Sequence, residues 1–122
     1  MKTNQTRITP VPDILFADEK VVVNHQVFSQ SVVLNRSWQP TLCHVSTAKE
    51  WATHPMRQDC LQIISSPNIS QSPELIDCFW QQMISVDLLP LDAAIRHAKS
   101  LIGDNVDFQL LLIPYTNQAQ GI

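Results

Sequence analysis

Short apolar runs separated by charged or amide-rich dipeptides fill the first third of the chain. Residues 14–17 and 21–23 flank Asp18-Glu19-Lys20, and two apolar runs around a compact polar turn predict a β-hairpin. A second turn at Asn24-His25 leads into residues 26–34, where β-branched residues in partial alternation predict one strand with a polar face. Residues 35–40 read as a loop and 41–45 as a further strand.

The periodicity then lengthens. Thr47-Ala48-Lys49-Glu50 matches a capping box, in which the threonine hydroxyl and the glutamate carboxylate satisfy orphan amides reciprocally. It predicts a short helix through Trp51 and Ala52, stopped near Pro55. Residues 60–64 form a compact apolar strand, and Ser65-Ser66-Pro67-Asn68 follows as a loop. Ser72, Pro73 and Glu74 suit the N-cap, first position and first turn of a helix. Leu75, Ile76, Phe79, Trp80, Met83 and Ile84 then recur at helical spacing as one broad apolar face. Residues 86–90 predict a strand. Asp92 is placed to cap the next helix, with Ala94, Ile95, Ala98, Leu101 and Ile102 inward and Gly103 closing it as a left-handed residue. Residues 106–113 predict the last strand, stopped by Pro114.

The predicted fold class is therefore mixed α/β: a β-rich N-terminal half followed by β-α-β-α-β, with a mixed central sheet. The strand-to-strand links suit right-handed parallel crossovers. Ile63, Ile64, Phe79, Val86, Leu88, Leu101, Leu110 and Leu112 are expected to be mostly buried. At 122 residues the chain is expected to be a single domain spanning 1–122, with polar, flexible ends at 1–12 and 115–122.

Charge and composition narrow the function classes. The net charge is -3 and the lysines and arginines are scattered singly, without the basic stripe of a nucleic-acid binder. No apolar run approaches the length of a membrane span, and residues 1–12 lack the apolar stretch of a secretory signal. The three cysteines are odd in number and include no C-x-x-C pair, which fits a reducing, cytoplasmic setting. With only two glycines, Gly103 and Gly121, the chain holds no glycine-rich phosphate loop.

Candidate chemistry is sparse. Cys43, His44, His54 and Cys60 lack the short pairing of zinc motifs, so no metal is expected. Neighbouring Cys43 and His44 fall on opposite faces of a strand and are poorly placed as nucleophile and base. No G-x-S-x-G elbow surrounds Ser65 or Ser66. No catalytic residue and no cofactor is assigned. The loop 65–70 follows a buried strand and precedes a helix N-terminus, the place where open α/β sheets bind ligands and where amides favour an anion.

The stretch 61–113 resembles the family called domain of unknown function 498, which includes mitochondrial complex I assembly factor 3 and the adipogenesis-associated domain protein. The family pattern is an apolar strand ending in G-T-G, a proline-led helix, a second strand, an A-A-x-R-T-Y-N-x-L helix and a last strand. Ser72-Pro73-Glu74-Leu75 matches the helix entry, Ile84-Ser85-Val86-Asp87-Leu88-Leu89 the second strand, and Ala93-Ala94-Ile95-Arg96 with Leu101 the second helix. Upstream, Val23-Asn24-His25-Gln26-Val27-Phe28-Ser29-Gln30-Ser31 resembles the family's "v-n-g-x-x-y-x-x-s" strand pair. The departures are Ser65-Ser66-Pro67 in place of G-T-G and His97-Ala98-Lys99 in place of T-Y-N. The chain resembles a divergent, bacterial-type member that has kept Arg96 and lost most of the polar lining around it.

The resemblance implies a fold more than a reaction. It directs the expectation toward a non-enzymatic interaction or assembly-type protein, homo-oligomerisation being left open. The alternative is a domain binding a small anionic ligand through Ser65, Ser66, Asn68 and Arg96.

Overall fold

Two hairpins built without glycine open the chain. Strand β1 (Ile14–Ala17) pairs antiparallel with β2 (Lys20–Val23), and Ala17 faces Lys20 across the turn. Asp18 and Glu19 sit at φ 53° and 58°, the positive φ at both central residues that a type I′ turn requires. Asn24 and His25, at φ 49° and 70°, repeat the device between β2 and β3 (Gln26–Phe28). The coordinates are a computed structural model that describes residues 10–53, 59–67, 69 and 72–115. Of the expected flexible ends, residues 1–9 and 116–122 therefore lie outside the described residues.

The strand expected over residues 26–34 is two strands in two sheets. β3 closes the first sheet, and the chain bends at Ser29 and Gln30 before β4 (Val32–Leu34) enters the second. The polar residues that suggested a solvent face instead make the corner. The Ser29 carbonyl accepts from the Tyr115 hydroxyl at 2.7 Å, Gln30 Nε2 donates to the Cys43 carbonyl at 3.1 Å, and Ser31 Oγ donates to the Val45 carbonyl at 2.7 Å.

β4 then pairs with β5 (Pro40–Leu42), and α1 (Ala48–Thr53), β6 (Leu61–Ser65), α2 (Pro73–Gln81), β7 (Val86–Leu88), α3 (Leu91–Gly103) and β8 (Phe108–Leu112) follow. The second sheet has the order β5-β4-β8-β6-β7, with β6 parallel to both β7 and β8 and β4 antiparallel to β8. This is the expected mixed α/β class.

Strand alternation divides the core in two. Ile64, Leu88, Leu111 and Ile113 face α1 and α2, packing with Trp51, Leu75 and Phe79. Ile63, Phe108, Leu110 and Leu112 face the other way, packing with Ala94 and Ala98 of α3 and with Val21 and Val23 of the small sheet. Crossover handedness accounts for the division. The step β6 to β7 and the step β7 to β8 run in opposite directions across the sheet, so right-handed connections put α2 and α3 on opposite faces. Of the eight positions expected to be buried, Val86 and Leu101 are half-buried and the other six are buried.

The helix ends correct three expectations. The capping box forms: Thr47 N donates to Glu50 Oε1 at 3.0 Å, and Glu50 N donates to Thr47 Oγ1 at 3.1 Å. Ser72 caps α2 by accepting from Leu75 N at 3.3 Å. α3, however, begins after Pro90, and Asp92 lies within its first turn rather than at the cap. Proline fixes the extended φ that an N-cap needs, so the entry does without a side-chain cap. Gly103 stays helical, and the left-handed residue is Asn105 at φ 59°. Asn105 N bonds to the Ile102 carbonyl and Val106 N to the Leu101 carbonyl, which places a Schellman turn two residues beyond the glycine. The third correction concerns the apolar face of α2. Trp80 and Met83 were expected inside, yet they are 71% and 85% exposed.

Candidate functional site at the carboxyl edge of the central strands

β6, β7 and β8 run parallel, and their carboxyl ends are Ser65, Leu88 and Leu112. The chain leaves β6 for α2 on one face and leaves the adjacent β7 for α3 on the other. That divergence is a topological switch point, where open α/β sheets form a crevice for ligands. Backbone pairing continues into the edge itself: Leu89 N donates to the Ile64 carbonyl at 3.0 Å, and Ile113 N to the Ser65 carbonyl at 2.9 Å.

Ser65 and Ser66 both sit at this edge, 0% and 3% exposed, and among the described residues neither hydroxyl has a hydrogen-bond partner. A buried hydroxyl without a partner costs about 1–3 kcal/mol. Alternation sets Ser65 on the α3 face with Ile63. Asn68 lies outside the described residues. Arg96 is exposed on the outer side of α3, opposite the buried Ala94 and Ala98. The structure thus brings together Ser65 and Ser66 but joins neither to Arg96 by a hydrogen bond.

Electrostatics temper an anion site here. At α2, Ser72 Oγ takes the Leu75 amide and Pro73 supplies none. Glu74 and Asp92 occupy the first turns of α2 and α3. These carboxylates already complement the positive helix ends and repel a further anion.

One polar pair escaped the sequence reading. His97 Nε2 lies 3.0 Å from Asp87 Oδ2, with side chains 34% and 45% exposed, tying α3 to the edge strand β7. The signal was an acidic residue inside an otherwise apolar strand, whose partner could only be found in space. Among the described residues no serine, threonine or cysteine hydrogen-bonds the other ring nitrogen of His97. The pair is a half-exposed contact of modest worth.

Of the histidines and cysteines considered for metal, Cys43 is buried, His44 is exposed, Cys60 is half-buried, and His54 lies outside the described residues. Among the described residues no group of three or more His, Cys, Asp or Glu side chains converges. No helix among them is long and apolar enough to cross a membrane.

No family model matches the sequence, and no curated protein matches it. The fold does have solved counterparts. A Xanthomonas campestris protein is 17% identical with a TM-score of 0.60, covering 98% of this chain and 97% of its own. A Bordetella pertussis protein described as a Mth938-like domain is 14% identical with a TM-score of 0.55, covering 98% of this chain and 94% of its own. A Bartonella henselae protein described as an outer membrane protein is 13% identical with a TM-score of 0.54, covering 88% of this chain and 98% of its own. At these identities the likeness is one of fold: a small, divergent domain with the Mth938-like arrangement among its neighbours.

Proposed function

We propose that this chain is a non-enzymatic interaction or assembly-type protein of the cytoplasm, a divergent relative of the domain of unknown function 498 family, whose partner is another protein. The observation that carries the reading is the exposure of Trp80 and Met83, at 71% and 85%, near the C-terminal end of α2. Large apolar side chains presented together to solvent mark interaction sites, and tryptophan is enriched among residues that dominate binding energy. Support for the cytoplasm comes from Cys43, Cys60 and Cys78, all free. The fold likeness to a Mth938-like domain supports the family reading.

The test is affinity capture with tagged wild type and Trp80→Ala from the native lysate. The reading expects a protein held by wild type and lost from the variant, with both proteins melting alike. Identical captures would remove it.

The hydroxyls of Ser65 and Ser66, without a partner among the described residues, favour a second reading, a small anionic ligand at the carboxyl edge; Arg96, on the outer side of α3, is not joined to them. A thermal-shift screen of small carboxylates and phosphates decides it. A stabilisation abolished by Ser66→Ala supports the site, and a flat screen excludes it.

A further inference from the structure

The outward side of α2 has a definite chemical character. At about 100° per residue, Leu75 and Phe79 define the buried direction, and Glu74, Asp77 and Trp80 fall on the opposite side at steps of three. Residues so spaced form a ridge. All three are exposed, and Met83 extends the ridge past the helix end. The helix reads Pro-Glu-Leu-Ile-Asp-Cys-Phe-Trp-Gln and holds no lysine or arginine. Among the described residues neither Glu74 nor Asp77 pairs with a cation. The ridge therefore presents two exposed carboxylates, without a side-chain cation among the described residues, at one end and an aromatic and a thioether at the other.

We propose that this ridge docks a cationic amphipathic helical segment of the protein partner. The inference rests on the interaction reading above and adds the chemistry of what is bound. Glu74 and Asp77 would take lysine or arginine side chains, and Trp80 and Met83 would cover the apolar stripe of the same segment. Tryptophan also receives a cation on its ring face, so Trp80 serves both halves of such a ligand. Charge complementarity selects this occupant. Nucleic acid and anionic lipid surfaces carry the same sign as the ridge and are disfavoured by it.

The probe is a synthetic amphipathic helix of leucine and lysine in heptads, with a leucine–glutamate peptide as its counterpart. Trp38 and Trp51 are 5% and 1% exposed, so a change in solvent-facing indole emission reports Trp80. The inference expects a blue shift with the lysine peptide and binding at least tenfold tighter (on the order of the electrostatic contributions known at interfaces) than with the glutamate peptide. It also expects weakening with added salt and a reversed preference in the Glu74→Lys, Asp77→Lys double variant. Calorimetry on Trp80→Ala, which lacks the reporter, is expected to show lost binding. Equal binding of both peptides would overturn the cationic partner and leave the interaction reading intact. Binding of neither peptide, with lysate capture still dependent on Trp80, would do the same. Binding of neither, with capture indifferent to Trp80, would overturn both. Self-association that Trp80→Ala abolishes would make the occupant a second copy and overturn the inference.

Discussion

The indole N–H of Trp51 donates to Gln62 Oε1 at 2.8 Å, across a contact sealed from water on both sides. The same glutamine donates through Nε2 to Gln109 Oε1 at 3.2 Å, its partner in the β6–β8 register. The chain thus threads a polar line through the apolar layer between α1 and the sheet. A buried glutamine is costly without partners, and this one fixes the orientation of α1 against β6.

Trp51→Phe keeps an aromatic ring in the layer and removes the donor. Taking one partner from a buried hydrogen bond costs about 1–3 kcal/mol, and the smaller ring adds to it. The expected result is a lower urea midpoint with an unchanged slope. A midpoint equal to that of wild type would show that the Trp51–Gln62 bond contributes nothing net.

Left-handed backbone is taken up here by residues that pay for it. Among the described residues seven non-glycine positions have positive φ, including His25 at 70° and Met83 at 59°. Both are exposed, so substitution loses little packing. The left-handed region costs an L-residue roughly 1–2 kcal/mol, while glycine raises unfolded-chain entropy by somewhat less. His25→Gly and Met83→Gly are each expected to stabilise by about 0.5 kcal/mol. Asn105→Gly should gain less, because asparagine tolerates this conformation. Thermal melts check the order, and loss of stability in His25→Gly would contradict the turn geometry.

These turns also show what could be read from residue order and what could not. The capping box at Thr47 and Glu50, the Ser72 cap and the strand through Leu110 and Leu112 are local, and neighbouring residues revealed them. The corner at Ser29 and Gln30 was hidden because its partners, Tyr115 and Cys43, are distant in sequence. Asn105 displaced Gly103 as the left-handed residue because the cap depends on where the helix runs out of inward contacts, and Ile102 still packs. Trp80 looked like core because apolar spacing does not reveal how wide a face the neighbours can cover. Of the candidate site, Ser65 and Ser66 were legible as a strand-end loop, whereas the separation of Arg96 from them is a property of three-dimensional placement.

The Thr47–Glu50 box holds α1 at its entry, and Ser46 N also reaches Glu50 Oε1 at 2.8 Å. α1 is only six residues long, too short to persist without its cap and its packing. Glu50→Ala is expected to cost roughly 1 kcal/mol, within the range for capping residues. Hydrogen exchange should show the loss as faster exchange confined to 47–53. No change would show that packing of Trp51 alone maintains the helix.

Cys43 supplies a prediction in the alkaline range. Burial pushes its thiol above the ordinary value, the Glu50 carboxylate adds to the rise, and a backbone hydrogen bond with Val45 partly opposes it. The folded state therefore holds this proton more tightly than the unfolded chain does. Below the unfolded thiol range, near pH ~8.5, both states are protonated and the difference contributes nothing to the pH dependence. Above it the unfolded chain ionises first, so stability falls as pH rises toward the folded value. Cys43→Ala removes that term. Wild type should lose urea resistance more steeply than the variant as the pH rises above about 8.5, and other groups cancel in the difference. Thiol trapping at neutral pH offers a second check, because a buried protonated thiol is unreactive. Cys43 is 6% exposed while Cys60 and Cys78 are half-buried, so Cys43 should be labelled last. Parallel alkaline limbs together with labelling of Cys43 as fast as Cys78 would show that this thiol is open to solvent on the timescale of the reaction.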